Sequence, residues 1–322
     1  MGSRAGRAWK GLGLFIGRHM VVIVLCCLAA GILLPQAFAP LRPAVPTFFA
    51  IMSFQSALGI TLRGLKDAVA HPLAIVLALV YVHVLSPLIA FLVGTALFGA
   101  DSDLVVGIVL EYCVPVATSS IMWVAMYRGN LATALATLLV SVFASPFAIP
   151  LTLHLLFGTV VEVNALGMVL DMLYMVVVPS VVGIVVNEAT HGLGTRTLSA
   201  SLMPLARLML VLIIATNSSA ISDFVFHLTP QLAGVLVFVG LFASFNFLMG
   251  AALAYVFRQR RERAVAMLFQ SGMRNISAGA VLAMQYFPPA SLFAVMAGVL
   301  FQQVLAALFG KVADRLLSRL PA

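Results

Sequence analysis

A few ionisable side chains interrupt the apolar stretches of this sequence, and these are the residues that could do chemistry. Glu111 could carry a proton, and Arg274 is a permanent cation that could attract an anion. His83 could titrate near neutral pH. An ionisable group within an apolar helix is costly, so each is a functional candidate. The structural alternative is an ion pair or a buried hydrogen bond.

Two polar clusters, each beside a residue that breaks helices, provide further candidates. Pro115, which lacks an N–H, precedes a Thr-Ser-Ser triplet, and Gly272 relaxes the backbone within the second cluster. Unwound backbone in a membrane is tolerated only where protein buries it or water reaches it. Freed carbonyl groups bind cations and half-helix N-termini bind anions, so two broken helices predict a solute site. The alternative is that Pro115 only kinks a structural helix. The polar residues of the clusters are Thr118, Ser119, Ser120, Gln270, Arg274 and Asn275.

The sequence lacks the residue patterns of an intramembrane enzyme. Ser119 and Ser120 have no neighbouring histidine, the acids are scattered, and no H-E-x-x-H segment occurs. Cys26, Cys27 and Cys113 lack the spacing of metal ligands. We therefore expect no catalysis, no cofactor and no metal centre.

The composition excludes a soluble protein. Of 322 residues, 63% are hydrophobic and 9% are charged, whereas a soluble domain carries about 25% charged residues to cover its surface. Membrane lipid is therefore the expected surrounding of the chain, and the polar candidates must lie on helices that cross a membrane.

The spacing of charged residues, Pro and Gly predicts an all-α membrane protein with ten transmembrane helices. A helix needs about 20 apolar residues to cross the hydrocarbon core. The predicted spans are 17–38, 44–62, 71–98, 103–127, 131–157, 165–187, 200–221, 230–257, 262–286 and 289–316. The two polar clusters fall in the fourth and the ninth span.

The distribution of the net charge of +8 predicts the orientation. With ten spans, nearly all basic residues outside the helices fall on one side, which the positive-inside rule makes cytoplasmic. Both termini are then cytoplasmic in an inner membrane, and nucleic acid is not an expected partner. The residues of that side are Arg4, Arg7, Lys10, Arg18, Arg63, Lys66, Arg128, Arg196, Arg207, Arg258, Arg260, Arg261, Arg263, Lys311, Arg315 and Arg319. The opposite side has Arg42, Asp101, Asp103, Glu162 and Asp223.

The order of elements suggests two inverted repeats, residues 1–160 and 161–322. Each would contain five spans, and two halves with an odd number of spans must have opposite orientations. In each half a polar break is followed by a short helix, a turn and a long apolar helix.

From about residue 45 to 310 the order of short motifs resembles the bile acid:sodium symporter family, within the bile/arsenite/riboflavin transporter superfamily. This resemblance implies a panel domain of helices 1, 2, 6 and 7 and a core domain of helices 3–5 and 8–10, with helices 4 and 9 crossing at their breaks. It also implies transport of organic anions by alternating access. The motifs are Pro115-Val-Ala-Thr-Ser-Ser120, Arg128-Gly-Asn130, Ala144-Ser-Pro-Phe-Ala-Ile-Pro150, Gly272-Met-Arg-Asn275, Tyr286-Phe-Pro-Pro289 and Phe301-Gln-Gln303.

The sequence departs from this family at the positions that bind sodium. Ile121 stands where an asparagine is usual, and Ala134 and Leu138 stand where hydroxyl residues are usual. Gln270 replaces a glutamate, and Arg274 replaces a glutamine. These changes remove oxygen ligands and add a fixed cation. They indicate a degenerate sodium site in which Arg274 takes the place of the ion.

We therefore expect a secondary or facilitative transporter of a small organic anion without conventional sodium coupling. Arg274 would brace the crossing and attract the substrate, or alternatively pair with Glu111. A sodium-coupled anion symporter, for bile acids or pantoate-like compounds, and a transport-dead sensor are alternatives. No obligatory protein partner is inferred. The expected substrate-binding residues are Thr118, Ser119, Ser120, Arg274, Asn275 and, as the family's polar cavity pair, Gln302 and Gln303. The coupling candidates are Glu111, Gln270, Arg274 and His83.

Overall fold

The computed structural model describes residues 4–60, 72–100, 102–158 and 164–321. Within these ranges all regular secondary structure is helical, apart from one isolated antiparallel bridge between Val116 and Arg274. Four residues of the charge argument lie outside the described ranges, namely Arg63, Lys66, Asp101 and Glu162.

Within each described range the helices follow one another with short connections. Several begin at a proline, which suits the first helical position because its N–H would have no partner there. In chain order they are α1 (Arg4–Arg18), α2 (Met20–Leu33), α3 (Pro35–Ala57), α4 (Pro72–Phe98), α5 (Asp103–Cys113), α6 (Ser120–Met126), α7 (Leu131–Phe157), α8 (Ala165–Ala189), α9 (Gly194–Ser219), α10 (Ser222–Phe226), α11 (Pro230–Val256), α12 (Arg261–Gly272), α13 (Ile276–Tyr286) and α14 (Pro289–Leu316).

Seven of these helices in the described ranges are long and apolar enough to cross a membrane, and the bent pair α1–α2 raises this number to eight. The seven are α3, α4, α7, α8, α9, α11 and α14. The chain is therefore a multi-pass membrane protein. The predicted first span, 17–38, is not one helix, because the chain bends at His19 and again at Leu34.

The predicted fourth and ninth spans are each divided into two short helices. α5 ends at Cys113 and α6 begins at Ser120, while α12 ends at Gly272 and α13 begins at Ile276. The residues that follow the first helix of each pair are extended, with ψ of 157° at Val114 and 122° at Met273. Both breaks therefore expose backbone groups that an intact helix would pair.

The chain forms two compact units. The first comprises residues 1–62 and 170–226, which contain α1 to α3, most of α8, and α9 and α10. In it, Gly31 of α2 lies so close to the carbonyl of Ala215 that a Cβ would collide, and Ser222 donates to the carbonyl of Ile32 at 2.7 Å. Small residues allow such close helix packing in membranes.

The second unit comprises residues 63–169 and 227–322, which contain α4 to α7 and α11 to α14. Its broken helices are its most enclosed part, since every residue at 104–117 and at 264–274 is buried. The long helices instead expose large apolar side chains, for example Leu155 and Val256 at 72% each. Lipid can cover those side chains, whereas the polar atoms of the breaks must find partners inside the unit.

Candidate functional site

The two helix breaks pair with each other in the second unit. Val116 and Arg274 form the antiparallel bridge, so the unwound segments run side by side like two very short strands. This pairing satisfies backbone groups that lipid could not, and it ties the two halves of the chain together. The flanking bonds join the N–H of Ala117 to the carbonyl of Met273 (3.1 Å) and the N–H of Asn275 to the carbonyl of Pro115 (2.8 Å).

The side chain of Arg274 occupies the meeting point of two helix C-termini. Its Nε donates to the carbonyl of Tyr112 near the end of α5 (3.3 Å). Its Nη1 donates to the carbonyls of Gln270 (3.4 Å) and Ser271 (3.0 Å) near the end of α12. Its Nη2 donates to Oδ1 of Asn246 at 3.3 Å. Helix C-termini carry unpaired carbonyls and partial negative charge, so the guanidinium neutralises both ends at once.

The side chain of Asn246, on α11, connects this centre to α4. Its Oδ1 accepts hydrogen bonds from the hydroxyls of Tyr81 (2.8 Å) and Ser86 (2.7 Å), in addition to the bond from Arg274. Its amide N–H donates to the carbonyl of Phe242 at 2.6 Å. A π turn at Tyr81–Leu85 in α4 lies directly beside these contacts. Such turns are often found at functional sites.

His83, from the same π turn, reaches the first break through one serine. Its Nε2 lies 2.8 Å from Oγ of Ser141, which accepts a hydrogen bond from the N–H of Val116 at 3.0 Å. His83 therefore supports the unwound backbone indirectly. The sequence does not single out Tyr81, Ser86 or Ser141, because ordinary polar residues at helical positions give no local signal of such contacts.

Gln270 and its neighbours occupy the positions that resemble a sodium site, and their contacts differ from those of a cation site. The Gln270 amide N–H donates to the carbonyl of Ala134 (2.9 Å) and to the hydroxyl of Ser120 (3.3 Å). A carbonyl only accepts, so the amide must turn its NH₂ group toward α7. Ala134, Leu138 and Ile121 pack in apolar clusters. A hard cation requires several oxygen ligands, which these side chains do not supply.

Glu111 is buried and does not form an ion pair with Arg274, which was one of the two alternatives predicted for that arginine. Each hydrogen bond that the structure gives to the guanidinium of Arg274 ends on a neutral oxygen. Glu111 is only 2% exposed, and its Oε2 has no hydrogen-bond partner in the described part of the chain. Its Oε1 lies where a Cβ on Gly298 would be. Elsewhere, no three His, Cys, Asp or Glu side chains of the described ranges group as metal ligands.

Asn275 and Gln302 lie at the second break. Oδ1 of Asn275 accepts the N–H of Ala278 at 3.3 Å and so caps α13. Oε1 of Gln302, on α14, accepts the backbone N–H of Arg274 at 2.7 Å. Together with Ser120 and Gln270, these residues surround the paired breaks.

The remaining predicted site residues lie further out. Oε1 of Gln303 accepts the indole N–H of Trp123 at 3.2 Å. In the first break, Thr118 is exposed and Ser119 is half-buried. These residues border the centre without joining the hydrogen-bond network around Arg274.

Comparison with known proteins identifies the family of this chain. A model of the Sodium Bile acid symporter family matches residues 46–228. The uncharacterised protein YbaS of Bacillus subtilis is 36% identical over 285 residues, which cover 88% of this chain and 93% of that protein. The chain belongs to the sodium bile acid symporter family.

Two other relatives in the sodium bile acid symporter family are named as transporters. One is the uncharacterised sodium-dependent transporter YocS of Bacillus subtilis, 24% identical over 86% of this chain and 85% of that protein. The other is the probable sodium/metabolite cotransporter BASS1, chloroplastic, of Oryza sativa subsp. japonica, 28% identical over 87% of this chain and 69% of that protein. This family member is therefore a membrane transporter and not an enzyme.

Proposed function

We propose that the protein carries a small organic anion across the inner membrane by alternating access, without conventional sodium coupling, and that Arg274 is the fixed cation of its transport site. The observation that supports this proposal is the position of the guanidinium, which is 2% exposed and bonded to carbonyls at the ends of both α5 and α12.

The C-terminal ends of two broken helices form a negative centre that needs a cation. Arg274 provides a charge that cannot dissociate and cannot be deprotonated. Gln270 is a neutral amide whose NH₂ group donates to the carbonyl of Ala134, so its side chain supplies no negative charge for a bound cation. The crossing is thus held together without an added ion, which supports sodium-independent transport.

The same charge favours an anionic substrate. A guanidinium has five N–H donors, and the structure gives the side chain of Arg274 four hydrogen bonds. Its action on a substrate is therefore mainly electrostatic. At an effective dielectric constant of about 20, a unit anion about 6 Å away would gain about 3 kcal/mol. Direct contacts are assigned to the polar residues around the breaks: Thr118, Ser119, Ser120, Asn275, Gln302 and Gln303.

We extend the proposal to the architecture. The ten spans would form two inverted repeats, 1–160 and 161–322, with both termini in the cytoplasm. The division of the described helices into one unit with α1 to α3 and α8 to α10, and another with α4 to α7 and α11 to α14, supports a panel and a core. Alternating access would then be a movement of the core against the panel.

The test is uptake of a pool of radiolabelled carboxylates into proteoliposomes, with sodium and proton gradients imposed separately. We expect uptake that does not depend on sodium and that is lost in Arg274→Gln. The control is Arg196→Gln, the same change at an exposed arginine.

Uptake driven by a sodium gradient would refute the proposed coupling and favour the sodium dependence for which the relative YocS is named. Failure to take up any carboxylate under either gradient, by protein that is folded, would favour a transport-dead sensor.

A further inference from the structure

Glu111 and Gln270 occupy corresponding positions in the two broken helices. Glu111 is two residues before the end of α5, and Gln270 is two residues before the end of α12. Both side chains leave the last turn of a helix whose C-terminus is neutralised by Arg274. Under the proposed inverted repeat they are symmetry mates, so their surroundings can be compared directly.

Each side chain points between the short helix and the long helix of the opposite half. Gln270 contacts Ser120, which begins α6, and the carbonyl of Ala134 on α7. Glu111 lies against Gly298 on α14, and a Cβ on Gly298 would also lie 3.0 Å from Ile276, which begins α13. Under the proposed inverted repeat, the surroundings of Glu111, called its pocket below, correspond to the degenerate sodium site around Gln270.

The two pockets differ in chemistry. The pocket of Gln270 holds a neutral amide whose NH₂ group donates to the carbonyl of Ala134, whereas the pocket of Glu111 holds an ionisable carboxyl group. Oε1 of Gln270 and Oε2 of Glu111 are both buried without a hydrogen-bond partner in the described part of the chain, but only the carboxylate oxygen can bind a proton. The described walls of the Glu111 pocket include a glycine backbone and an apolar isoleucine. A metal cation needs several oxygen ligands, but a proton needs only one carboxylate oxygen.

We infer that Glu111 is the binding site of a coupled proton, which the carrier takes up together with its anion. This inference rests on the proposed anion transport and adds its coupling ion. Arg274 couples Glu111 electrostatically to the substrate. Its guanidinium is bonded to the carbonyl of Tyr112, the residue after Glu111.

Other ionisable groups around the pocket are few. Those near the breaks are Tyr112 and Cys113 on α5, Tyr81 and His83 on α4, and Arg274 in the second break. On the other helices that pack against α5, the nearest are far along the helix axis. Tyr286 is ten residues from Ile276, Lys311 is thirteen residues from Gly298, and His154 is thirteen residues from Ser141. At 1.5 Å per residue these separations are about 15–20 Å.

The direction of coupling follows from charge. The cation Arg274 favours the carboxylate form of Glu111, and an anion bound near Arg274 offsets that positive charge. Anion binding therefore strengthens proton binding, and by reciprocity the proton strengthens anion binding by the same factor. We expect a factor of roughly ten, within the usual range of such couplings. The result is proton–anion symport.

Infrared difference spectroscopy of the purified protein tests proton binding without any substrate. The chain has only ten Asp and Glu residues, so the carbonyl stretch of one neutral carboxylic acid can be resolved. We expect a band that titrates in the wild type, is absent from Glu111→Gln and remains in Glu188→Gln, a change at an exposed carboxylate. A wild-type protein without a titrating band, or a band that persists in Glu111→Gln, overturns the inference.

Uptake of the labelled carboxylate pool tests the coupling. An inward acid gradient should drive accumulation by the wild type and by Glu188→Gln. Glu111→Gln should lose that accumulation but retain exchange of labelled for unlabelled anion. Accumulation that ignores the gradient, or that survives in Glu111→Gln, overturns the inference and leaves anion transport standing. If no carboxylate is carried at all, the proposed function fails, and the infrared titration alone decides on Glu111.

Discussion

Replacing Arg274 with glutamine removes the cation from between the ends of α5 and α12. Four hydrogen bonds are lost, to the carbonyls of Tyr112, Gln270 and Ser271 and to Asn246. At about 1 kcal/mol of net stability each, the loss is about 4 kcal/mol. Relief from burying a charge offsets part of it, so we expect a net loss of about 3 kcal/mol.

The assay is thermal unfolding in detergent, followed by tryptophan fluorescence. At about 2–4 °C per kcal/mol, Arg274→Gln should lower the apparent Tm by about 6–12 °C. Arg274→Lys keeps the charge but has three donors instead of five, so about half of that loss is expected. Arg196→Gln, at an exposed position, should change stability by no more than about 0.5 kcal/mol.

Two results would refute this reasoning. An Arg274→Gln protein as stable as the wild type would mean that the helix ends do not need the cation. A lysine variant no better than the glutamine variant would mean that the planar shape of the guanidinium, and not its charge, holds the crossing.

Further predictions use the same unfolding assay. Replacing sodium with potassium in the buffer should leave the Tm unchanged. If the protein bound sodium, a sodium concentration of 100 times the Kd would add about 2.7 kcal/mol to the free energy of unfolding, and a shift of that size would contradict the degenerate site. Asn246→Leu should cost about 2–3 kcal/mol because two buried hydroxyls and an arginine N–H lose their acceptor; no loss would remove Asn246 from the network. Gly298→Ala should cost about 1–3 kcal/mol by crowding Glu111, and adding Glu111→Ala should recover most of it; simple additivity would refute the contact. Ser141→Ala should cost about 1–2 kcal/mol because a backbone N–H in the first break loses its acceptor, and Ser145→Ala on the same helix should cost less; equal losses would argue against a special role for Ser141.

The sequence alone was sufficient for the membrane class and for the positions of the helix breaks, because both depend on local chemistry. A low charge content requires lipid, and a proline or glycine beside a polar cluster in an apolar run favours a helix break there. Arg274 could also be identified, since a charged residue within an apolar run requires a partner or a task.

The partners of Arg274 could not be derived in the same way. Asn246 collects hydrogen bonds from Tyr81 and Ser86 because a π turn and a neighbouring helix bring them together, and neither feature has a sequence signal that these residues reveal. The bend at His19 was missed for a related reason. Neither Pro nor Gly occupies residues 18–20, between the amphipathic α1 and the apolar α2, so the sequence gives no local signal of the bend, and only packing decides where the axis turns.

The pairing of the two breaks has a consequence for biogenesis. The carbonyl of Pro115 and the N–H of Ala117 find their partners in Asn275 and Met273, about 160 residues later in the chain. At a synthesis rate of about 5–20 residues per second, the ribosome needs roughly 8–30 s to deliver those partners. During that interval the unwound segment lacks these backbone partners, so other protein must bury it or water must reach it. The last steps of insertion therefore assemble both crossing helices together, and a chain that stops before residue 273 has no means of completing the first of them.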